Sequence, residues 1–383
     1  MNIIPNQKHL FNIPEDITYL NCCYMSPQLL SVTRAGEKAL LRKQEPWKIK
    51  IDDFFIETEI TRNLFARLVD SNIDDIAIIP SASYGLAIAA KNLHVKANSK
   101  IIMLNEQFPS NVLVWKELAK KKRAKTVFLK DTENIGWTNI LLQSIDENTS
   151  VVAIPNVHWS DGRIINLEKI SQRCKQFNAA LVLDLTQSVG AIPFSAQKVQ
   201  PDFMVTATYK WLLGPYSMGF LYVNPKQQLG EPIEHNWINR KRSENFAKLA
   251  SYENEFKIGS RRFDVGERSN FVLMPMVRAA LEQIHLWKVL NIRNTLLSLT
   301  IEISKKASDI GLSIPKINQS SPNFIGIIFN KKIPDNLEYL LTKENVFVSI
   351  RGNSMRVSPH VYNSIDDINE LFRLLELSLI NKN

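Results

Sequence analysis

The chain has 383 residues, 45% of them hydrophobic, with 47 basic against 38 acidic side chains and a formal net charge of +9. That size and apolar content suit one large buried core and a second, smaller one, and no internal repeat or low-complexity segment interrupts the chain. The basic excess clusters at 120–125 (KKKRAK) and 240–242 (RKR) without a nucleic-acid motif, so both clusters read as solvated helix ends and loops, and no nucleic-acid partner is expected. The first residues have neither a basic start nor an apolar core, so no signal peptide is expected. Cys22 and Cys23 are neighbours and geometrically poor disulfide partners. With Cys174 they fit a reducing compartment, hence a cytoplasmic protein. Helices are predicted over 30–46 and 54–69, the second placing Ile56, Ile60, Leu64 and Leu68 along one side. Strand-like runs follow at 75–79, 100–104, 125–129, 150–155, 179–185, 203–208 and 218–223, with helical stretches between several of them, notably 83–93, 110–122 and 167–177. Continuous apolar strands alternating with amphipathic helices specify a three-layer α/β sandwich around a mainly parallel seven-stranded sheet. Beyond it the pattern changes to helices at 273–288 and 291–309, strands near 324–329, 346–350 and 354–358, and a helix at 364–380. The expected division is a large α/β domain at 26–270 and a small α+β domain built from 1–25 and 271–383. No apolar run reaches the ~20 residues that cross a bilayer, so no membrane partner is expected.

Five constellations at the ends of these elements could carry chemistry. Ser81, Ala82, Ser83, Tyr84 and Gly85 open a helix after the first strand of the alternating set, where free amides and hydroxyls can cradle a phosphate or simply cap the helix. Phe108, leaving the strand at 100–104, is either a ring that stacks on a flat cofactor or a core residue. His158 and Trp159 follow the strand at 150–155 and either face the site or hydrogen-bond structurally. Asp184 and Gln187 end one strand, and Lys210 lies just past the next, between Tyr209 and Trp211. A semi-buried lysine is a usable amine nucleophile, and a carboxylate keeps a pyridine nitrogen protonated; together they suit a Schiff-base lysine carrying pyridoxal 5′-phosphate. Arg356, on a short late strand, suits the carboxylate of an amino acid substrate or a salt bridge to Asp366 or Asp367. The absence of G-x-G-x-x-G and G-x-x-x-x-G-K argues against a dinucleotide or Walker-type phosphate site.

The segments DLTQSVG, YKWLLGP and RVSPHVYNSIDD resemble the class V aminotransferase family of fold-type I pyridoxal-phosphate enzymes, which includes cysteine desulfurases, kynureninase, isopenicillin N epimerase-like proteins and C–S lyases. The resemblance implies that Ala82 and Ser83 hold the cofactor phosphate, Phe108 stacks on its ring, Asp184 pairs with the ring nitrogen and Gln187 contacts the phenolic oxygen. It implies that Lys210 bears the cofactor, that Tyr209 reaches the phosphate as in kynureninase-like members, and that Arg356 grips the substrate carboxylate. It also implies a homodimer and an aminotransferase-type reaction on an amino acid, with racemisation, epimerisation or C–S or C–C cleavage as alternatives and a non-catalytic scaffold as a remote one. The chain departs from the desulfurases in lacking a cysteine between 346 and 356. It also carries Glu267 where many members place a threonine that reaches the neighbouring subunit's phosphate, a contact expected instead from Arg268 or Asn270.

Overall fold

A computed structural model describes residues 2–330 and 332–380. Strand β1 (Thr18–Tyr19) precedes the seven strands of the large sheet: β2 (Ile76–Ile79), β3 (Lys100–Leu104), β4 (Lys125–Leu129), β5 (Thr149–Pro155), β6 (Ala180–Asp184), β7 (Phe203–Ala207) and β8 (Gly219–Val223). Their spatial order is β2-β8-β7-β6-β5-β3-β4. All pairings are parallel except the two made by β8. The link from β7 to β8 is too short for a crossover, so β8 turns back beside β7.

The strands other than β4 are largely apolar because both faces are covered, while β4, at the sheet edge, stays mostly exposed, and the alternation of the covered strands divides them between two cores. Ile76, Ile78, Ile102, Leu104, Val152, Ile154 and Leu183 join one cluster, while Ala77, Ile79, Ile101, Met103, Val151, Ala153 and Val182 join the other. Helices Ala82–Asn92 and Ser110–Lys122 cover the second face, supplying Leu86, Ile88, Trp115 and Leu118. Ser110–Lys122 ends in Lys120, Lys121 and Lys122, which places the KKKRAK cluster against the negative end of a helix dipole. In the other basic cluster, Lys241 and Arg242 pair with Glu255 and Glu253.

The chain direction across the sheet reverses between β3 and β5, the switch point at which α/β folds open a crevice. The loops that follow β3, β5, β6 and β7 all emerge on that side.

The C-terminal part contains β9 (Ile325–Ile328), β10 (Val346–Phe347), β11 (Ser349–Arg351) and β12 (Ser354–Val357). Antiparallel β11-β12-β9 form one small sheet, and β10 pairs in parallel with β1. Ile325, Ile327, Met355 and Val357 pack with Leu371 and Leu375 of helix Ile365–Ile380 in a third cluster. Residues 271–287, expected in the smaller unit, form helix Leu273–Trp287, whose Met274, Val277, Leu281 and Ile284 pack in the large core. Helix Trp137–Ser144 and the two-residue β1 are additional elements; β1 is too short to give a periodic signal. Among the described residues no helix is long and apolar enough to cross a membrane.

Candidate active site

Lys210 stands three residues beyond the last residue of β7, on a loop fixed from several sides. Thr208 Oγ1 donates to Pro215 O at 2.6 Å, and Gly214 N donates to Thr208 O at 2.9 Å. The neighbouring Trp211 is buried and donates from Nε1 to Gln187 Oε1 at 3.0 Å. Gly190, at φ 97°, lies where a Cβ would come within 2.3 Å of Trp211 O, so only glycine permits this approach. The Lys210 side chain is thereby held beside a cavity of about 250 Å³. Its Nζ is 5.7 Å from the Phe108 ring centre and 5.6 Å from that of Tyr209. Burial pushes the Lys210 pKa below the ordinary lysine range, which favours the free amine.

Asp184 ends β6 and reaches the same cavity. Its Oδ1 accepts from Thr186 N at 3.0 Å. Burial pushes its pKa up, and among the described residues no cationic side chain lies within ion-pair distance. Gln187 donates from Nε2 to Cys23 O at 3.1 Å while accepting from Trp211, so one of its amide hydrogens is left for the cavity.

At the opposite wall, helix Ala82–Asn92 points its N-terminus into the cavity. Ser81 Oγ accepts from Tyr84 N at 3.2 Å and lies 2.9 Å from Ser83 Oγ. The amides of Ala82 and Ser83 have no acceptor among the described residues. Capping and an open anion cradle therefore coexist. Gly85 brings this helix onto the sheet: a Cβ there would lie 2.6 Å from Val205 Cγ1.

Phe108 is 41% exposed, which removes the core reading, and sits edge-on to Trp159 with ring centres 5.5 Å apart. Trp159 is anchored by Nε1 donating to Glu106 O at 2.5 Å. His158 turns away from Lys210. Its Nε2 lies 3.1 Å from Asn105 O and its Nδ1 2.9 Å from Ser160 Oγ, in a separate polar cavity with Asp131 and Arg163.

Arg356 is buried in β12. It donates from a terminal nitrogen to Trp159 O at 3.0 Å, and its guanidinium lies 5.4 Å from the Trp159 ring centre. Its Nε has no partner, and among the described residues no carboxylate lies within ion-pair distance. Asp367 is engaged by Ser364, Asn363 and Thr18, so the salt-bridge alternative is not realised. Trp159 is part of the cavity wall, and Arg356 stands at its edge through that contact.

The structure thus brings Ala82, Ser83, Phe108, Asp184, Gln187, Tyr209 and Lys210 to one cavity, with Arg356 beside it. Tyr209 is half-buried, its ring 4.6 Å from that of Tyr216, and its hydroxyl pKa is pushed up to about 12, chiefly by burial. The residues proposed for a phosphate contact from the 262–271 stretch make contacts within the chain. Arg268 pairs with Asp264 and donates to Asn239 Oδ1, and Asn270 Oδ1 caps Val272 and Leu273. Cavity residues not singled out from sequence include Thr186, Asn111, Tyr216 and Ser217. Thr186 was legible as the residue two after a strand-end Asp, whereas the others depend on packing.

The sequence model of the aminotransferase class-V family matches residues 52–371. The chain belongs to the class-V aminotransferase family. An uncharacterized aminotransferase, YcbU, of Bacillus subtilis is 25% identical over 387 aligned positions, covering 100% of both chains. A kynureninase of Shouchella clausii is 25% identical over 283 positions, covering 70% of this chain and 65% of its own. A probable cysteine desulfurase of Mycoplasma genitalium is 29% identical over 213 positions, covering 54% of this chain and 51% of its own. The solved structure of a cysteine desulfurase from Thermococcus onnurineus NA1 shares the fold with a TM-score of 0.84 at 18% identity, covering 100% of both chains.

The cofactor of this class-V enzyme is pyridoxal 5′-phosphate, and the cavity fits it. An unpaired buried acid suits a protonated ring nitrogen, and free helix amides suit a phosphate. An amine without a partner suits an aldehyde. Asn111, whose side-chain nitrogen is buried and unbonded, lines the same space.

Proposed function

We propose that this enzyme acts at the α-carbon of an amino acid, with pyridoxal phosphate held on Lys210, and that transamination is its overall reaction. The observation that carries the reading is a desolvated lysine facing a buried, cation-free Asp184 across one cavity, with a carboxylate-free Arg356 at its edge. When bound, the cofactor supplies an electron-withdrawing ring conjugated to the substrate's α-carbon.

The chain's own residues do the rest. Asp184 would keep the cofactor's ring nitrogen protonated, and that cation would in turn favour the ionised carboxylate that burial now disfavours. The Ala82 and Ser83 amides, with the Ser83 hydroxyl and Tyr209, would hold the phosphate, Phe108 would cover the ring face, and Gln187 would offer its spare N–H to the phenolic oxygen. Arg356 takes the substrate carboxylate, satisfying its unbonded nitrogen. Lys210, favoured as a free amine by burial, would take the α-proton onto Nζ and hold it for delivery away from the α-carbon, the proton shift that transamination requires.

Transamination rests on the full-length match to an aminotransferase and on the absence of cysteine from 346–356; Cys22, Cys23 and Cys174 are all buried. Those buried, unpaired thiols support a cytoplasmic location. The exposed apolar side chains Leu40, Leu41, Trp47 and Ile51 support a homodimer.

The test begins with wild-type protein saturated with pyridoxal phosphate. It should be yellow, and borohydride followed by peptide mapping should place the cofactor on Lys210. Incubation with amino acids should then yield keto acid, with nitrogen passed to an added acceptor keto acid. A colourless protein with no adduct would overturn the cofactor assignment. An inverted enantiomer, or pyruvate with ammonia, would replace transamination by racemisation or elimination.

A further inference from the structure

We propose that Arg351 is a second anion-binding arginine of this site, and that the substrate is an amino acid whose side chain ends in an anionic group. The inference rests on the reading of the site given above.

Residues β11 and β12 form a tight hairpin closed by Gly352 and Asn353, with Gly352 at φ 58°. A two-residue turn with glycine first fixes strand register. That register sets Ser349 opposite Arg356 and Arg351 opposite Ser354. Directly paired residues share a face, and so do residues two apart on one strand. Ser349, Arg351, Ser354 and Arg356 therefore lie on one side of the small sheet. Ile350 and Met355 lie on the other, packed into the third hydrophobic cluster.

The first side is the one turned to the active site. Ser349 Oγ donates to Asn21 Oδ1 at 2.7 Å, Ser354 Oγ donates to Ser160 O at 3.1 Å, and Arg356 donates to Trp159 O at 3.0 Å. Gly326 of β9 stands opposite Arg356, where a Cβ would come within 2.6 Å of Asp161 Cα, so the face presses on the loop after β5. Arg351 pairs with Ser354, whose hydroxyl donates to Ser160 O, so it leaves the sheet on this face. Its one bond is from a terminal nitrogen to Ile350 O at 2.7 Å, and its side chain is otherwise open to solvent. Among the described residues no carboxylate lies within ion-pair distance of Arg351 or Arg356.

Two arginines on one face, neither neutralised, repel each other, and the Arg351 charge is among those that depress the Arg356 pKa. Diagonal neighbours on an antiparallel pair stand about 7 Å apart. Side chains rooted that far apart on one face can converge on the two ends of one dicarboxylate. With Arg356 on the α-carboxylate, Arg351 receives a side-chain carboxylate or sulfinate, as in aspartate, glutamate or cysteine sulfinate. A neutral substrate leaves the second arginine uncompensated.

The test uses holoenzyme in which borohydride has already located the cofactor on Lys210 in a parallel sample. Calorimetry measures the binding of glutarate and succinate against the monocarboxylates butyrate and propionate at fixed ionic strength. The dicarboxylates should bind about tenfold more tightly, and Arg351→Gln should bring the two classes together while Arg356→Gln weakens both. In turnover, the ratio of kcat/KM for glutamate over glutamine should fall in Arg351→Gln by about the same factor. Equal binding of both classes by wild type, or selectivity that survives Arg351→Gln in a variant of unchanged Tm, overturns the proposal. A missing adduct at Lys210 instead overturns the reading beneath it.

Discussion

His360 is fully buried among the rings of Trp211, Trp287 and Tyr362, at centre distances of 5.9, 6.4 and 5.7 Å. Neither ring nitrogen has a hydrogen-bond partner, and burial pushes its pKa from 6.5 down to about 3. Its backbone N–H donates to Asn363 Oδ1, a bond that any side chain at 360 can keep. Because the folded pKa lies below the unfolded one, the unfolded chain takes up a proton that the folded chain refuses. The folded state therefore loses stability as pH falls below 6.5, by about 1.4 kcal/mol per unit, until pH approaches 3. At pH 5 the accumulated loss from this one group is about 2 kcal/mol. His360→Phe keeps an aromatic ring among aromatic neighbours and removes both unpaired nitrogens. At pH 8 the variant should be stabilised by about 1 kcal/mol. At pH 5 the advantage should grow to about 3 kcal/mol, the further 2 kcal/mol coming from the abolished proton uptake. Urea unfolding of both proteins at the two pH values, compared through midpoints and a common slope, reads the difference. An advantage that is the same at pH 5 and pH 8 would refute the reasoning, because it would mean that His360 titrates alike in the folded and unfolded chain.

Asp264 takes both terminal nitrogens of the buried Arg62 at 2.9 and 2.7 Å, pairs with Arg268, and accepts from Ile78 N at 2.7 Å. Asp264→Asn should cost about 3–5 kcal/mol in chemical denaturation, since it strands buried cations. Gly190→Ala should lower Tm and shift the cofactor's visible band, because the new methyl strikes Trp211 O beside Lys210; the backbone strain alone costs about 1–3 kcal/mol. Arg356→Gln should raise KM for the amino acid by about a hundredfold with a smaller change in kcat, measured by steady-state kinetics. An unchanged KM would remove Arg356 from substrate binding.

Much of this protein was legible in the sequence because its signals are local. The strands of the large sheet other than β4 were located from continuous apolar runs, since burial of both faces leaves no polar alternation to confuse them, and the exposed edge strand β4 from its short run of Thr, Val, Phe and Leu. Asp184 and Lys210 could be paired because each lies within a few residues of a strand end, and parallel strands deliver their ends to the same side. Ser81 as a helix cap follows from the same local logic.

The tertiary structure decided what depends on partners far away in the chain. Phe108 is a cavity wall and not a core ring because Trp159, from a different loop, holds it edge-on. Arg356 is free for a ligand because Asp367 is taken by Ser364, Asn363 and Thr18. Arg268 pairs with Asp264 and Asn239, and the Asn270 side-chain oxygen caps a helix. Helix Leu273–Trp287 joins the large core although the sequence pattern changes just before it. In each case the residue type allowed two outcomes of similar local energy. The choice between them was made by which long-range neighbours satisfied its charge, its hydrogen bonds or its apolar surface.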